Sequence, residues 1–225
     1  MSRGKLIVFE GAEGAGKTTQ LRLLAERLTA RGIDCVAVRE PGGTPVGDVI
    51  RNLLLDPQAT ICPSAEALLF MASRAELVSR ELIPMLEKGS IIIVDRFFLS
   101  TYAYQVVGRG LAEEDVRAAN RLATGGLVPD LTILLDVPVT VGMERADSRG
   151  IRDRMERSGD DFHARVGEAF GLFASADWQA SHPECGPIVR VDSVGAEEDV
   201  FSKVAGVLIG RFPETFSALT EFKKQ

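Results

Sequence analysis

The chain has 225 residues, 45% of them hydrophobic and 26% charged, a balance typical of one soluble globular domain and unlike a disordered or fibrous chain. Its net charge of −6 argues against a sequence-independent nucleic-acid binder, which needs a basic excess. No apolar run approaches the roughly 20 residues that span a bilayer, so no membrane-spanning helix is expected.

The first predicted element is a strand within Lys5–Glu10, followed at once by Gly11-Ala12-Glu13-Gly14-Ala15-Gly16-Lys17-Thr18. Leu21, Leu24 and Leu28 then recur at helical spacing, and Gly32 stands where a C-terminal cap belongs. A second strand is expected over Ile33–Arg39. From Ser64 to Lys88 the apolar pattern predicts a long helix closed by Gly89, with Pro84 kinking it near its end. Further strands are expected at Ser90–Asp95, Leu131–Asp136 and Ile188–Asp192, each a short apolar run of the kind a parallel sheet buries on both faces. Strands alternating with helices predict a doubly wound α/β fold. No linker divides the chain, so one domain is expected over 1–225, with a mobile arginine-rich segment at about 145–158.

The glycine-rich segment is a full match to G-x-x-x-x-G-K-[ST], lying between a predicted strand and a predicted helix as that motif requires. Glycines allow backbone N–H groups to converge on a phosphate, and the helix N-terminus adds about half a positive charge. Lys17 suits the β- and γ-phosphates of a nucleotide, and the Thr18 hydroxyl suits Mg²⁺. At the end of the run Ile91-Ile92-Ile93-Val94, Asp95 is placed to organise that Mg²⁺ and its waters; a helix-capping aspartate is the alternative. Arg96 beside it offers a guanidinium fork for the charge that phosphoryl transfer spreads over oxygens. Phe70 and Arg74 are four apart on one helix face, a spacing that suits stacking a base and bonding its carbonyl, but also an ordinary core position. The arginines Arg145, Arg149, Arg152, Arg154 and Arg157 read either as a catalytic clamp or as a solvated helix face.

Three cysteines without a CxxC pair suggest neither a disulfide framework nor a zinc site, and two histidines are too few for a histidine-based one. The first residues lack the h-region of a signal peptide, so a cytoplasmic location is expected.

In order along the chain, Phe9-Glu10-Gly11 through Thr19, Arg39-Glu40-Pro41-Gly42-Gly43-Thr44, Leu69-Phe70-Met71-Ala72-Ser73-Arg74, Asp95-Arg96-Phe97, Ser100-Thr101-Tyr102-Ala103-Tyr104-Gln105 and Pro129-Asp130-Leu131 resemble the thymidylate kinases, in their bacterial form. The resemblance covers most of residues 5–175. It implies a P-loop NTPase fold with a five-stranded, mostly parallel sheet flanked by helices and a mobile lid. It further implies a homodimer that moves the γ-phosphate of ATP onto dTMP with Mg²⁺, and that binds neither nucleic acid nor membrane.

Residue by residue, the resemblance implies that Gly11, Ala12, Glu13, Gly14, Ala15, Gly16, Lys17, Thr18 and Thr19 hold ATP. Glu13 would also contact the thymidylate sugar and magnesium waters. Phe70 would stack on thymine and Arg74 would bond its carbonyl, with Ser100 and Thr101 lining the pyrimidine pocket. Arg96 would hold the acceptor phosphate, Thr18 and Asp95 would serve the metal, and Tyr104 would press where a 2′-hydroxyl would sit. Glu13 and Ala15 leave the loop without an arginine, so Arg149 or Arg154 of the lid is implied as the transition-state cation. Glu40-Pro41 matches a turn in which the family carries a cis proline. Met155 and the acidic Asp160-Asp161-Phe162 depart from the family's pattern. Two rivals stand beside this reading: another P-loop small-molecule kinase, and a P-loop switch or partitioning ATPase. The latter lacks its Asn-Lys-x-Asp guanine motif or its early P-loop lysine here.

Overall fold

The computed structural model describes residues 3–147 and 153–223. Its elements run β1 (Leu6–Glu10), α1 (Lys17–Thr29), β2 (Cys35–Arg39), α2 (Pro45–Leu55), α3 (Pro63–Leu77), α4 (Ile83–Glu87) and β3 (Ile91–Asp95). They continue as α5 (Phe98–Thr101), α6 (Glu113–Thr124), β4 (Leu131–Asp136), α7 (Val139–Asp147), α8 (Asp160–Phe173), α9 (Ala176–Ser181), β5 (Ile188–Asp192), α10 (Glu197–Arg211) and α11 (Pro213–Phe216). The strands form one sheet in the order β2-β3-β1-β4-β5, with every pairing parallel.

The unbroken apolar runs follow from burial on both faces of this sheet. In β1, Leu6 and Val8 pack on one side with residues of α3, α5 and α8, while Ile7 and Phe9 pack on the other with α1 and α10. Each such fully buried side chain is worth about 1.5–3 kcal/mol relative to exposure. Because β1 is flanked by β3 and β4, whatever follows its C-terminal end emerges beside the C-terminal end of β3. Phe9 lies level with Asp95 across that pairing. The sheet therefore brings Gly11 and Asp95 together, although 84 positions of sequence separate them.

The long helix expected over 64–88 is helical throughout but changes register inside. A π-helical turn, Val78–Leu82, separates α3 from α4. Pro84 accounts for it: the ring lacks an N–H and collides with the carbonyl four residues back, so the turn before it widens. A second π-helical stretch, Tyr102–Gly108, continues α5. Gly32 and Gly89 adopt the left-handed conformation just past their helices, as their positions suggested. The Glu40-Pro41 bond is cis, also as expected. Asp160 and Asp161 occupy the first turn of α8, where the helix dipole favours acids; this explains their departure from the family pattern. Among the described residues no helix is long and apolar enough to cross a membrane.

Candidate active site

The loop after β1 opens on a cavity of about 1200 Å³ at the C-terminal edge of the sheet, the usual place for a ligand in an open α/β fold. Gly11, Gly14 and Gly16 all have positive φ, at 143°, 68° and 88°. At Gly14 a Cβ would lie 2.0 Å from the Gly142 carbonyl oxygen of α7, and at Gly11 it would lie 2.4 Å from the Leu135 carbonyl oxygen. The loop is thus pressed against β4 and α7 at two points that only glycine fits, which fixes a main-chain cradle at the head of α1. The first N–H groups of α1 have no intrahelical partners and face the same way.

Lys17 curls back over this cradle. Its Nζ donates to the carbonyl oxygens of Gly11 (2.9 Å) and Ala12 (2.8 Å). Burial, with the Arg96 guanidinium close by, lowers its pKa to about 8, although Glu13, Asp95 and Glu10 oppose the shift. A buried ammonium among carbonyls and next to a second cation suits an anion of high charge. On the outer lip the Thr18 hydroxyl donates to Asp95 Oδ2 at 2.7 Å. A hydroxyl and a carboxylate side by side at the cradle's edge are hard oxygen donors, and this donor set fits Mg²⁺.

Arg96, at φ 70° the one non-glycine with positive φ among the described residues, turns its guanidinium into the cavity. Nη2 meets Glu13 Oε1 at 2.5 Å, and Nη1 donates to the Gly11 carbonyl (3.2 Å) and the Ser100 hydroxyl (3.0 Å). Burial disfavours its charge, yet Glu13, Tyr104 and Asp95 outweigh that and the pKa is raised. Tyr104 donates its phenol to the same Glu13 oxygen at 2.7 Å, and burial keeps that phenol protonated. The loop acid, the post-strand arginine and the helix tyrosine therefore form one cluster.

Beyond this cluster, side chains take over from main chain. Phe70 is half-buried and lines the cavity beside Arg74, Ser100, Thr101 and Tyr104. Arg74 commits all five of its N–H groups within the protein. Nε and Nη2 grip the Glu40 carboxylate (2.8 and 2.6 Å), Nη2 also reaches the Phe97 carbonyl (2.8 Å), and Nη1 reaches Thr101 Oγ1 (3.0 Å) and Asn120 Oδ1. The Arg-Glu-Pro-Gly-Gly-Thr block acquires specific jobs. Glu40 holds Arg74, the Gly42 amide donates to Ser73, and Thr44 caps α2 by accepting from Gly47 N (2.9 Å) with Pro45 at the first helical position.

Of the two arginines expected to act from a lid, the one described, Arg154, is not brought to the loop. Arg149 lies outside the described residues. Arg154 bonds the Leu54 carbonyl (2.6 Å) and Glu66 Oε2 (2.7 Å) and does not line the cavity. Met155, next to it, is buried in the same apolar cluster as residues of α8 and also lines the cavity. The cavity does contain two cations whose roles were not read from the sequence, Arg39 at the end of β2 and Arg51 on α2, and it also contains Arg145 on α7, one of the arginines read as a clamp or a solvated face. Arg145 Nη1 donates to the Ser193 carbonyl (3.4 Å) at the start of the β5–α10 loop, and Gly195 and Ala196 of that loop also line the cavity. Glu10 was also missed; the one signal was a charged residue ending an otherwise apolar strand.

A glycine cradle before a helix, a carboxylate on the neighbouring parallel strand and a guanidinium between them define a P-loop nucleotide-binding phosphotransferase. A family model described as thymidylate kinase matches residues 9–180. A thymidylate kinase of Carboxydothermus hydrogenoformans is 49% identical over 208 residues, covering 92% of this chain and 98% of the relative. One from a Synechococcus strain is 46% identical over 209 residues, covering 92% and 95%. One from Pelobacter propionicus is 43% identical over 224 residues, covering 96% and 99%. The chain belongs to the thymidylate kinase family.

Proposed function

We propose that the cradle and the side-chain pocket hold the two substrates of the family's reaction end to end, with Lys17 and Arg96 at the junction. The chain is a kinase, and its reaction is the ATP-dependent phosphorylation of dTMP to dTDP. The observation that carries the division of labour is the Arg96 guanidinium. It is held between the Gly11 carbonyl and Glu13 of the cradle loop on one side and Ser100 of the pocket on the other, where donor and acceptor phosphates must meet.

In this reading Gly11–Thr19 hold the phosphates of ATP, with Lys17 on the β- and γ-phosphates, while Arg145 and the β5–α10 loop face the donor base. Phe70 stacks on thymine, Arg74 frames the pocket and shares an N–H of Nη1 with the base carbonyl, and Thr101 lines the wall. Tyr104, fixed by Glu13, disfavours a 2′-hydroxyl. Two phosphates that repel one another are aligned and their charge is neutralised as the phosphoryl group passes in line. Thr18 and Asp95 would hold Mg²⁺, which supplies charge neutralisation and orientation to the phosphates when bound. The lid, at about 145–158, closes over the site to exclude water, and Arg149 or Arg154 brings the last positive charge. Arg154 must first leave Glu66.

The chain is further proposed to work as a single domain within a homodimer. Exposed Val46, Val49 and Leu53 on α2, Leu68 on α3 and Leu122 on α6 lie on mutually packed helices and favour a covered face there. The proposed location is the cytoplasm, in keeping with three free thiols. A coupled ADP-release assay across nucleoside monophosphates and free nucleosides tests the reading. Turnover peaking with dTMP is expected; a peak with another acceptor would overturn the acceptor assignment, and acceptor-independent turnover the kinase reading itself.

A further inference from the structure

The helix carrying Ser100, Thr101 and Tyr104 starts without a cap of its own, since its N-cap residue is Phe97. The missing acceptor arrives from a distant strand. Glu10, fully buried at the end of β1, accepts the Phe97 amide (2.7 Å) and the Ser100 amide (3.0 Å) on Oε1. These are the N-cap and N3 amides, the two that a capping box satisfies. Its other oxygen, Oε2, accepts the Ser100 hydroxyl at 2.7 Å, and that hydroxyl accepts Arg96 Nη1–H at 3.0 Å. Glu10 does not line the cavity and so touches no substrate.

We propose that Glu10 is a positioning residue for Arg96: its carboxylate clamps the backbone immediately after the strained arginine and orients the guanidinium through the Ser100 hydroxyl. Arg96 needs such support on two counts. A non-glycine at φ 70° costs about 1–3 kcal/mol and persists only where the surroundings over-determine it. Glu13 holds Nη2 and the Gly11 carbonyl takes Nη1 at 3.2 Å; the Ser100 hydroxyl, at 3.0 Å on the same Nη1, adds the side-chain acceptor that ties the plane of the fork to Glu10. An acceptor phosphate then meets an arginine already aimed, with no ordering left to do at binding.

Two substitutions separate the link from the cap. Ser100→Ala removes the hydroxyl between Glu10 and Arg96 but leaves both amides capped. Glu10→Gln keeps an oxygen for the amides but turns an NH₂ toward Ser100, which then meets a donor where it had an acceptor. The assay varies dTMP at saturating ATP and measures dTMP affinity by calorimetry. Each substitution is expected to lower kcat/KM for dTMP about tenfold while the KM for ATP stays within about twofold, and Ser100→Thr is expected to restore most of the loss. In an Arg96→Lys background, where no fork remains to aim, Ser100→Ala is expected to change dTMP affinity less than about twofold.

The proposal rests on Arg96 holding the acceptor phosphate. If Arg96→Lys alone leaves dTMP kinetics unchanged, that reading fails. If Arg96→Lys is impaired but Ser100→Ala multiplies with it in full, or Ser100→Ala alone behaves as wild type, the positioning role fails and the reading of Arg96 stands. Should Glu10→Gln not fold, the serine variants decide the matter alone.

Discussion

At the end of the cavity proposed to take the donor the surface is main chain, shaped by three glycines with positive φ and pinned to β4 and α7 by contacts that admit no Cβ. At the end proposed to take the acceptor the surface is side chain, assembled from the turn after β2 and from α3, α5 and α6 around one buried arginine that makes six hydrogen bonds to Glu40, Thr101, Asn120 and Phe97. The contrast matches what each end must recognise. Phosphate presents the same oxygens in every nucleotide, so a cradle of amides serves any of them. A pyrimidine monophosphate must be told from its relatives, which requires a shaped pocket whose polar groups are fixed before the ligand arrives.

The comparison can be broken first at Glu40. Glu40→Gln leaves the buried Arg74 charge without its counter-ion, a change that typically costs about 3–5 kcal/mol. Urea unfolding should show that loss, and surviving enzyme should need more dTMP while its KM for ATP holds. Equal damage to both substrates would mean that the two ends are not independently built.

A pH profile sharpens the donor side. The Lys17 pKa is lowered to about 8 by burial, so the free enzyme carries the ammonium below that pH and loses it above. ATP binds the charged form, so kcat/KM for ATP should be flat below pH 8 and fall about tenfold per unit well above it. The same parameter for dTMP at saturating ATP should fall less, because bound phosphates hold the proton on Lys17. The smallest effect is expected at the α2 cap: Thr44→Ala removes the bond from Gly47 N and should cost about 1 kcal/mol in urea unfolding, with little change in either KM.

The same contrast governs what could be read from the sequence. The loop is local: eight consecutive residues between a strand and a helix specify it, and Lys17, Thr18 and the glycines stand where the motif puts them. Asp95 was legible because an apolar run ending in an acid marks the end of a buried strand. Phe70 and Arg74 could be paired by helical spacing, but Arg74's partners are 23 to 46 positions away in sequence, and no periodicity reports such distances. Glu10 escaped for a related reason, since its work is done on amides nearly ninety positions later. Pro84 announced a kink, yet a π-helical turn as the form it takes depends on packing, which the pattern alone does not encode.

The most direct test of the two-part construction is a calorimetric titration of ATP and dTMP, each alone, into the wild type, Lys17→Met and Phe70→Ala. The account predicts that Lys17→Met weakens ATP by at least about tenfold and leaves dTMP within about twofold, and that Phe70→Ala does the reverse. Loss of both affinities in either variant would contradict it.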